Sequence, residues 1–366
     1  MHKKIRVGVV FGGRSAEHEV SLLSAKNIVN ALDKKKYEPV LIAITKEGEW
    51  HLCDAKKYLL DAHDPKRVRI QKSQNSVALV AKEAKKELVS LTKKEKPAAI
   101  DVIFPVMHGT YGEDGAIQGL LRMAGVTFVG ASVLGSAVGM DKDVMKRLLR
   151  EANIPIARFI TLDAQAAKKK SFADVVKELG LPLFVKPANL GSSVGVSKVK
   201  SKQDYAKALA LAFKYDRKIL IEEFIDGREI ECSVLGNDNP IASLPGEVIT
   251  KDEFYSYDAK YMNDSGTVMH IPAKVDKKTI LRVQEISIQA YKTLYCEGTA
   301  RVDLFLKKDG SVYVNEINTI PGFTSTSAFP KLWAASGLSM TEVVDRLIQF
   351  ALERFEIEKS LKTTFV

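Results

Sequence analysis

Short apolar runs that alternate with amphipathic stretches constrain the fold of this chain more than any other feature. "IRVGVVFGG" is followed by a helical pattern from about residue 17 to 32, then by "EPVLIAIT", "IDVIFPVMHG", the helical "GAIQGLLRMAG" and "TFVG". Strands separated by helices imply βαβ units and a parallel sheet. Residues 46–95 carry much charge and little periodicity, and read as a decorated insertion with at least one helix near 78–91. A second unit runs from about residue 131: helix "SAVGMDKDVMKRLLREA", strand "ARFITL", a helix near 171–180, strand "LFVKPA", a glycine-rich loop, strand "GVSKV", a helix over 202–214 and strand "ILIEEFI". A third begins near residue 226 and closes with the helical "MTEVVDRLIQFALERF". At 366 residues the chain suits two or three domains, divided here as 1–130, 131–225 and 226–366.

Composition removes several function classes. With 46% hydrophobic and 27% charged residues the chain reads as a globular protein. No apolar run approaches the roughly 18 residues that cross a bilayer, so no membrane span is expected. The apolar run of "MHKKIRVGVVFGG" breaks at Gly12 and Gly13, too early for a signal peptide, and is a first strand instead. Cys53, Cys232 and Cys296 are far apart and form no zinc or disulfide pattern, which suits a reducing cytoplasm. The net charge of +10 comes from scattered lysines without interleaved aromatics, so no nucleic acid partner is expected.

Three stretches carry chemistry. "VYVNEINTIPG" at 312–322 is a strand that ends in a Pro-Gly turn, and side chains two apart on a strand point the same way, so Glu316 and Asn318 converge. The preceding strand, "ARVDLFL", joined through "KKDG", brings Asp303 to the matching place. These oxygens suit a hard cation; the alternative is a solvated hairpin with acidic residues on its wet face. In "FVKPANLGSSVGVSKV", Lys186 lies near a strand end, and the loop amides with the Ser192 and Ser193 hydroxyls can cradle anionic oxygens. Taken alone, that loop also reads as a plain hairpin turn, and it lacks the order of a P-loop. "ILIEEFIDGREIEC" ends an apolar strand in Glu222 and Glu223, followed by Phe224, Ile225 and, after a glycine turn, Glu229. Buried carboxylates need donors. An adenine amine and a ribose supply them, although a strand leaving the core for solvent fits as well.

Seven motifs in order give the chain its resemblance: "GGRSAEHEVSL" (12–22), "HGTYGEDGAIQG" (108–119), "MDKDVMK" (140–146), "FVKPANLGSSVG" (184–195), "IEEFIDGRE" (221–229), "YDAKY" (257–261), and "RVD" (301–303) with "NEINTIPGFTSTS" (315–327). Over essentially its full length it resembles the ATP-grasp superfamily, and within it the D-alanine–D-alanine ligases. The resemblance implies a mixed α/β and α+β, three-domain ATP-grasp architecture with an N-terminal Rossmann-like sheet domain. It implies ATP between the second and third units, held by Lys142, Lys186 and Ser193. Glu222 and Glu223 would stand at the base, Phe224 on the ring, the Ile225 backbone at its edge and Glu229 at the ribose. Asp303, Glu316 and Asn318 match the ligands of two magnesium or manganese ions, with potassium as an activator.

By the same resemblance, D-alanine is the substrate, activated as an acyl phosphate that the amine of a second D-alanine attacks to give the dipeptide of peptidoglycan precursors. Lys260 and Arg301 would stand beside the γ-phosphate and the developing oxyanion, with the Gly322 amide completing that site. Glu17, at a helix N-terminus, would meet the first ammonium, and Ser192 and Tyr261 would link it to a mobile loop. His108 and Ser327 would contact substrate carboxylates. The long polar stretch 247–273 reads as a lid. Family members are commonly cytoplasmic homodimers. The chain departs from the family pattern at Thr326, Ala328 and Phe329, whereas Tyr261 favours an amine over a hydroxy-acid acceptor.

Overall fold

The first apolar runs pair as a βαβ chain requires. In the computed structural model, which describes residues 3–55, 57–71, 73–82, 85–92, 98–250 and 267–362, the strands Ile5–Gly12, Tyr37–Ile44 and Val102–Pro105 lie parallel. Trp50–Cys53 adds antiparallel to the outer edge. Helix His18–Ala31 makes the first crossover and buries Leu22, Ala25 and Ile28 against Val7, Val9 and Phe11. The chain leaves the first strand through Gly12, at φ +89°, where a Cβ would stand 2.2 Å from the Ile44 carbonyl oxygen. Only glycine fits there.

A central antiparallel sheet follows, ordered Phe159–Asp163, Lys218–Glu223, Leu183–Pro187 and Ser197–Val199. The third and largest sheet is built on Gly227–Gly236 paired along its length with Gly298–Lys307, which in turn pairs with Val312–Asn318. Helices Val133–Met140, Lys142–Glu151 and Lys277–Thr293 bury Val138, Met145, Leu149, Val283 and Ile286 in the core of this third sheet. The last helix, Met340–Ser360, returns to the first sheet, where Val343, Val344, Leu347 and Ile348 share a core with Val7, Val9 and Phe104. The two ends of the chain thus depend on one another for burial.

Four expectations are corrected. The helix expected near 78–91 is a hairpin of Val77–Lys82 with Lys85–Ser90. Its apolar residues alternate: Val77 and Leu88 are buried with Ile42 and Ile44, and this packing outweighs the helix propensity of the Ala-Lys-Glu run. The single helix expected over "SAVGMDKDVMKRLLREA" is two, because Asp141 is extended and its carboxylate accepts from the amides of Asp143 and Val144, both at 3.1 Å. That N-cap restarts the helix with Lys142 in its first turn. "TFVG" forms only an isolated parallel bridge, Phe128 to Ile103, because the Phe128 and Gly130 carbonyls go to Arg354. Finally, both ends of the 247–273 stretch are strands, Gly246–Thr250 paired antiparallel with Thr267–His270. Residues 251–266, and with them Lys260 and Tyr261, lie outside the described residues.

Arg354, buried on the last helix, donates to the Gly130 carbonyl at 2.6 Å and the Phe128 carbonyl at 2.8 Å, and stands 3.4 Å from Glu297. Arg354→Met strips donors from buried acceptors, at roughly 1–3 kcal/mol each. Urea unfolding is expected to show a loss of about 3 kcal/mol, and an unchanged midpoint would mean that water replaces the guanidinium.

Candidate active site

The central and third sheets line a cleft of ≈ 420 Å³, within the range of small-molecule sites. On the third sheet, Glu231, Asp303 and Glu316 are register partners on three adjacent strands and form an acidic row. A bulge decides where the last of them points. In unbroken alternation Glu316 and Asn318 would share the face of Val312 and Val314, which are buried in the core. The register shifts after Asp303, so that Leu304 pairs with Val314 and Asn315 is the extra residue. Glu316 and Asn318 therefore turn to the other face, while Ile317 joins the core.

Cations hold this row. Arg301 chelates Asp303 through two 2.7 Å hydrogen bonds and stands 3.3 Å from Glu231. Lys142 lies 3.2 Å from Glu316 and donates to the Leu190 carbonyl at 2.8 Å. The Asn318 amide donates to Asp303 at 3.0 Å. At the far end, Glu222 accepts from Lys186 at 2.8 Å and has Lys146 at 3.4 Å. Burial pushes its pKa up, but the two lysines outweigh burial and leave it below the usual carboxylate value. Its neighbour Glu223 points the other way, as strand alternation dictates, and both its oxygens accept from Arg158, at 2.6 and 2.8 Å. Phe224, Ile225 and Glu229 complete this end of the cleft, with the Lys198 ammonium 4.7 Å from the Phe224 ring centroid.

Glu17 occupies the N-cap position of the first helix and is buried, and the Ser192 hydroxyl donates to its Oε1. Ser192 and Ser193 both adopt left-handed backbone, at φ +52° and +60°, a conformation rare outside glycine. Ser193, but not Ser192, lines the cleft. The loop after the third sheet's last strand is pinned from the first sheet's side. His108 Nδ1 lies 2.9 Å from the Ile320 carbonyl, which can only accept, so the ring proton sits on Nδ1 and Nε2 accepts from the Ser24 hydroxyl at 3.0 Å. Burial lowers the His108 pKa, as a neutral ring requires. Ser24 Oγ accepts from the Phe323 amide at 3.1 Å, and Asn27 donates to the Phe323 carbonyl at 2.9 Å. Glu113 accepts from the Ile320 amide at 3.0 Å and the Gly109 amide at 2.8 Å. Gly322 sits between these anchors, with Ser327 Oγ 2.6 Å from where its Cβ would be.

The cleft thus gathers Lys142, Lys186, Ser193, Glu222, Glu223, Phe224, Ile225, Glu229, Asp303 and Glu316 in its lining. Arg301 and Asn318 touch that lining through Asp303, whereas Glu17, Ser192, His108, Gly322 and Ser327 belong to the adjoining loops. Sequence reading missed Glu113, Lys146 and Glu231. Glu231 carried a signal, two residues after Glu229 on the same strand face, and Lys146 carried one a helical turn after Lys142. Glu113 stood within "HGTYGEDGAIQG", but its bonds to the Gly109 and Ile320 amides come from the tertiary fold.

Comparison with known proteins places this geometry. The family model described as D-ala D-ala ligase N-terminus matches residues 6–131, and that described as D-ala D-ala ligase C-terminus matches residues 148–349. The chain belongs to the D-alanine–D-alanine ligase family. D-alanine–D-alanine ligase A of Salmonella typhimurium is 54% identical over 361 residues, covering 99% of each chain. Among solved structures, the D-alanine-D-alanine ligase from Coxiella burnetii matches with a TM-score of 0.86 and 38% identity, over 98% of this chain and 97% of its own. The VanG D-Ala:D-Ser ligase from Enterococcus faecalis matches with a TM-score of 0.83 and 34% identity, over 95% and 100%. The architecture is accordingly that of the ATP-grasp ligases, as the resemblance implied.

In this ligase fold, Glu113 links the two loops through a part-buried carboxyl. Burial, then the charge of Glu17, raise its pKa from 4.5 to about 8. A raised carboxyl stabilises the fold fully below the unfolded value, and that contribution is lost as pH rises through about 8. Thermal melting of wild type is therefore expected to fall more steeply than that of Glu113→Gln between about pH 5 and pH 9. Parallel curves would place the titration elsewhere.

Proposed function

We propose that this chain condenses two D-alanines into D-alanyl-D-alanine, converting ATP to ADP and phosphate through a D-alanyl phosphate, for peptidoglycan precursor synthesis. The observation that carries the reading is the cleft itself, where Lys142 stands against the acidic row and Lys186 against Glu222, in a chain of this family. The carboxylate of the first D-alanine attacks the γ-phosphorus, and ADP leaves. The second D-alanine's amine then adds to the acyl carbon, and phosphate departs from the tetrahedral state. A carboxylate is a poor acyl donor, and phosphorylation turns it into a good one by supplying phosphate as the leaving group.

The residues divide this work by position. Lys142, Lys186 and Ser193 line the cleft where the phosphates lie, Glu222 and the Ile225 backbone meet the adenine edge, Phe224 packs on the ring and Glu229 takes the ribose. Glu223, locked by Arg158, shapes the base end from its backbone. Arg301 and Lys260 neutralise the γ-phosphate and the oxyanion, and the Gly322 amide donates to that oxyanion from a loop already fixed at Ile320 and Phe323. Glu17 binds the first ammonium, oriented by Ser192, with Tyr261 extending this link. His108 and Ser327 shape the carboxylate sites. Lys260 and Tyr261 arrive on the stretch between the strands Gly246–Thr250 and Thr267–His270, which excludes water from the acyl phosphate.

Asp303, Glu316 and Asn318 fit a divalent ion: two carboxylates and an amide, all capable of hard oxygen ligation, border the cleft beside the phosphate site. Two magnesium or manganese ions held there would neutralise charge on the nucleotide's β and γ oxygens. Potassium acts as an activator. The chain divides into units 1–130, 131–225 and 226–366, works in the cytoplasm and forms a homodimer through the first unit. Among the described residues, no helix is long and apolar enough to cross a membrane.

Phosphate release from magnesium and ATP is expected with D-alanine and not with L-alanine or glycine. Release that ignores D-alanine would overturn the reading. Glu316→Gln and Arg301→Ala are each expected to lower turnover by about 100-fold or more, with an unchanged circular dichroism spectrum. Near-normal turnover in either variant removes its residue from the mechanism.

A further inference from the structure

Lys146 has no part in the mechanism above, yet it is among the largest fully buried side chains of the protein. It follows Lys142 by one helical turn, reaches under the base end of the cleft, and its ammonium has no hydrogen-bond partner. Its nearest anion is Glu222 Oε2 at 3.4 Å, the oxygen that Lys186 already holds at 2.8 Å. The other oxygen, Glu222 Oε1, is buried with no partner although the residue lines the cleft. A buried ammonium is costly, and one lysine suffices to balance one carboxylate. The second cation therefore calls for a reason beyond charge balance.

Two cations from different elements, a helix and a strand, fix one oxygen of Glu222 and leave the other as the single open acceptor. They also keep the group ionised, and an ionised carboxylate accepts hydrogen bonds but donates none. An acceptor that cannot donate pairs with an amine and repels a carbonyl. We propose that Lys146 is a positioning residue for purine selection: it holds Glu222 as an ionised acceptor facing the base edge, so that the site takes a 6-aminopurine and rejects a 6-oxopurine. Without Lys146, the buried Glu222 reverts towards its protonated form, and a protonated carboxyl donates to a 6-oxo group. This inference rests on the nucleotide reading of the cleft and assigns the selection within it.

The test compares binding of non-hydrolysable analogues of ATP and of inosine triphosphate, which differ at the 6-position, to the full chain with magnesium by calorimetry. Wild type is expected to prefer the adenine analogue, and Lys146→Met to narrow that preference by about tenfold or more, chiefly through weaker adenine binding. In the ligase assay, Lys146→Met raises KM for ATP while kcat and KM for D-alanine stay within about twofold, a split that a merely structural role does not produce. Glu222→Gln is expected to narrow the preference similarly, and the double variant to add little to it. Should Lys146→Met fail to fold, Lys146→Gln carries the same expectation. A folded Lys146 variant with an unchanged adenine-to-inosine ratio overturns the role of Lys146 alone, whereas wild-type protein that binds neither analogue overturns the nucleotide reading and the inference with it.

Discussion

Three carboxylates abreast on neighbouring strands set the terms for the rest of this structure. Glu231, Asp303 and Glu316 meet across the face of the third sheet. Like charges directly opposite one another destabilise a sheet. The fold accommodates them by setting Arg301 between two of them and Lys142 against the third. Lys142 is available only because Asp141 interrupts what would be one helix and restarts it at the rim of the cleft. The charge pattern that suits a site for a polyphosphate and its metal ions is thus also a packing constraint, met by one cap and one bulge.

The second constraint is that the loop after the third sheet's last strand belongs to both ends of the chain. Residues 320–323 follow the third sheet, but His108, Glu113, Ser24 and Asn27, all from the first unit, hold their backbone. The last helix, packed into the first sheet and clamped to residues 128–130 by Arg354, reinforces this junction. In the role proposed for the Gly322 amide, a donor to a developing oxyanion must not need to reorganise during reaction. Bonding the backbone on both sides of Gly322 achieves that, and explains why polar residues remote in sequence are buried together.

Much of the architecture was legible in the sequence, for identifiable reasons. The parallel strands of the first unit, the hairpin of the third sheet and the helices over 172–179 and 202–212 followed from period and turn residues, which act locally. The hairpin of Val77–Lys82 with Lys85–Ser90 did not, because its apolar residues are few and its Lys, Glu and Ala favour helix until burial decides. The candidate site was legible as residue types: acids at strand ends, lysines near glycine turns. That Glu222 and Glu223 must face opposite ways was already implicit in strand alternation.

The order of elements, the family and the candidate ligands were set by the sequence itself, since periodicity and motif spacing are properties of neighbouring residues. The tertiary structure alone decided which way those ligands point. A simple alternation sends Glu316 and Asn318 into the core with Val314, and the bulge at Asn315, visible only once the partner strand is in register, turns them to the face of Asp303. The environments of Glu113 and Lys146 are of the same kind: their surroundings come from residues distant in the chain, and solvation depends on what surrounds a group rather than on what precedes it.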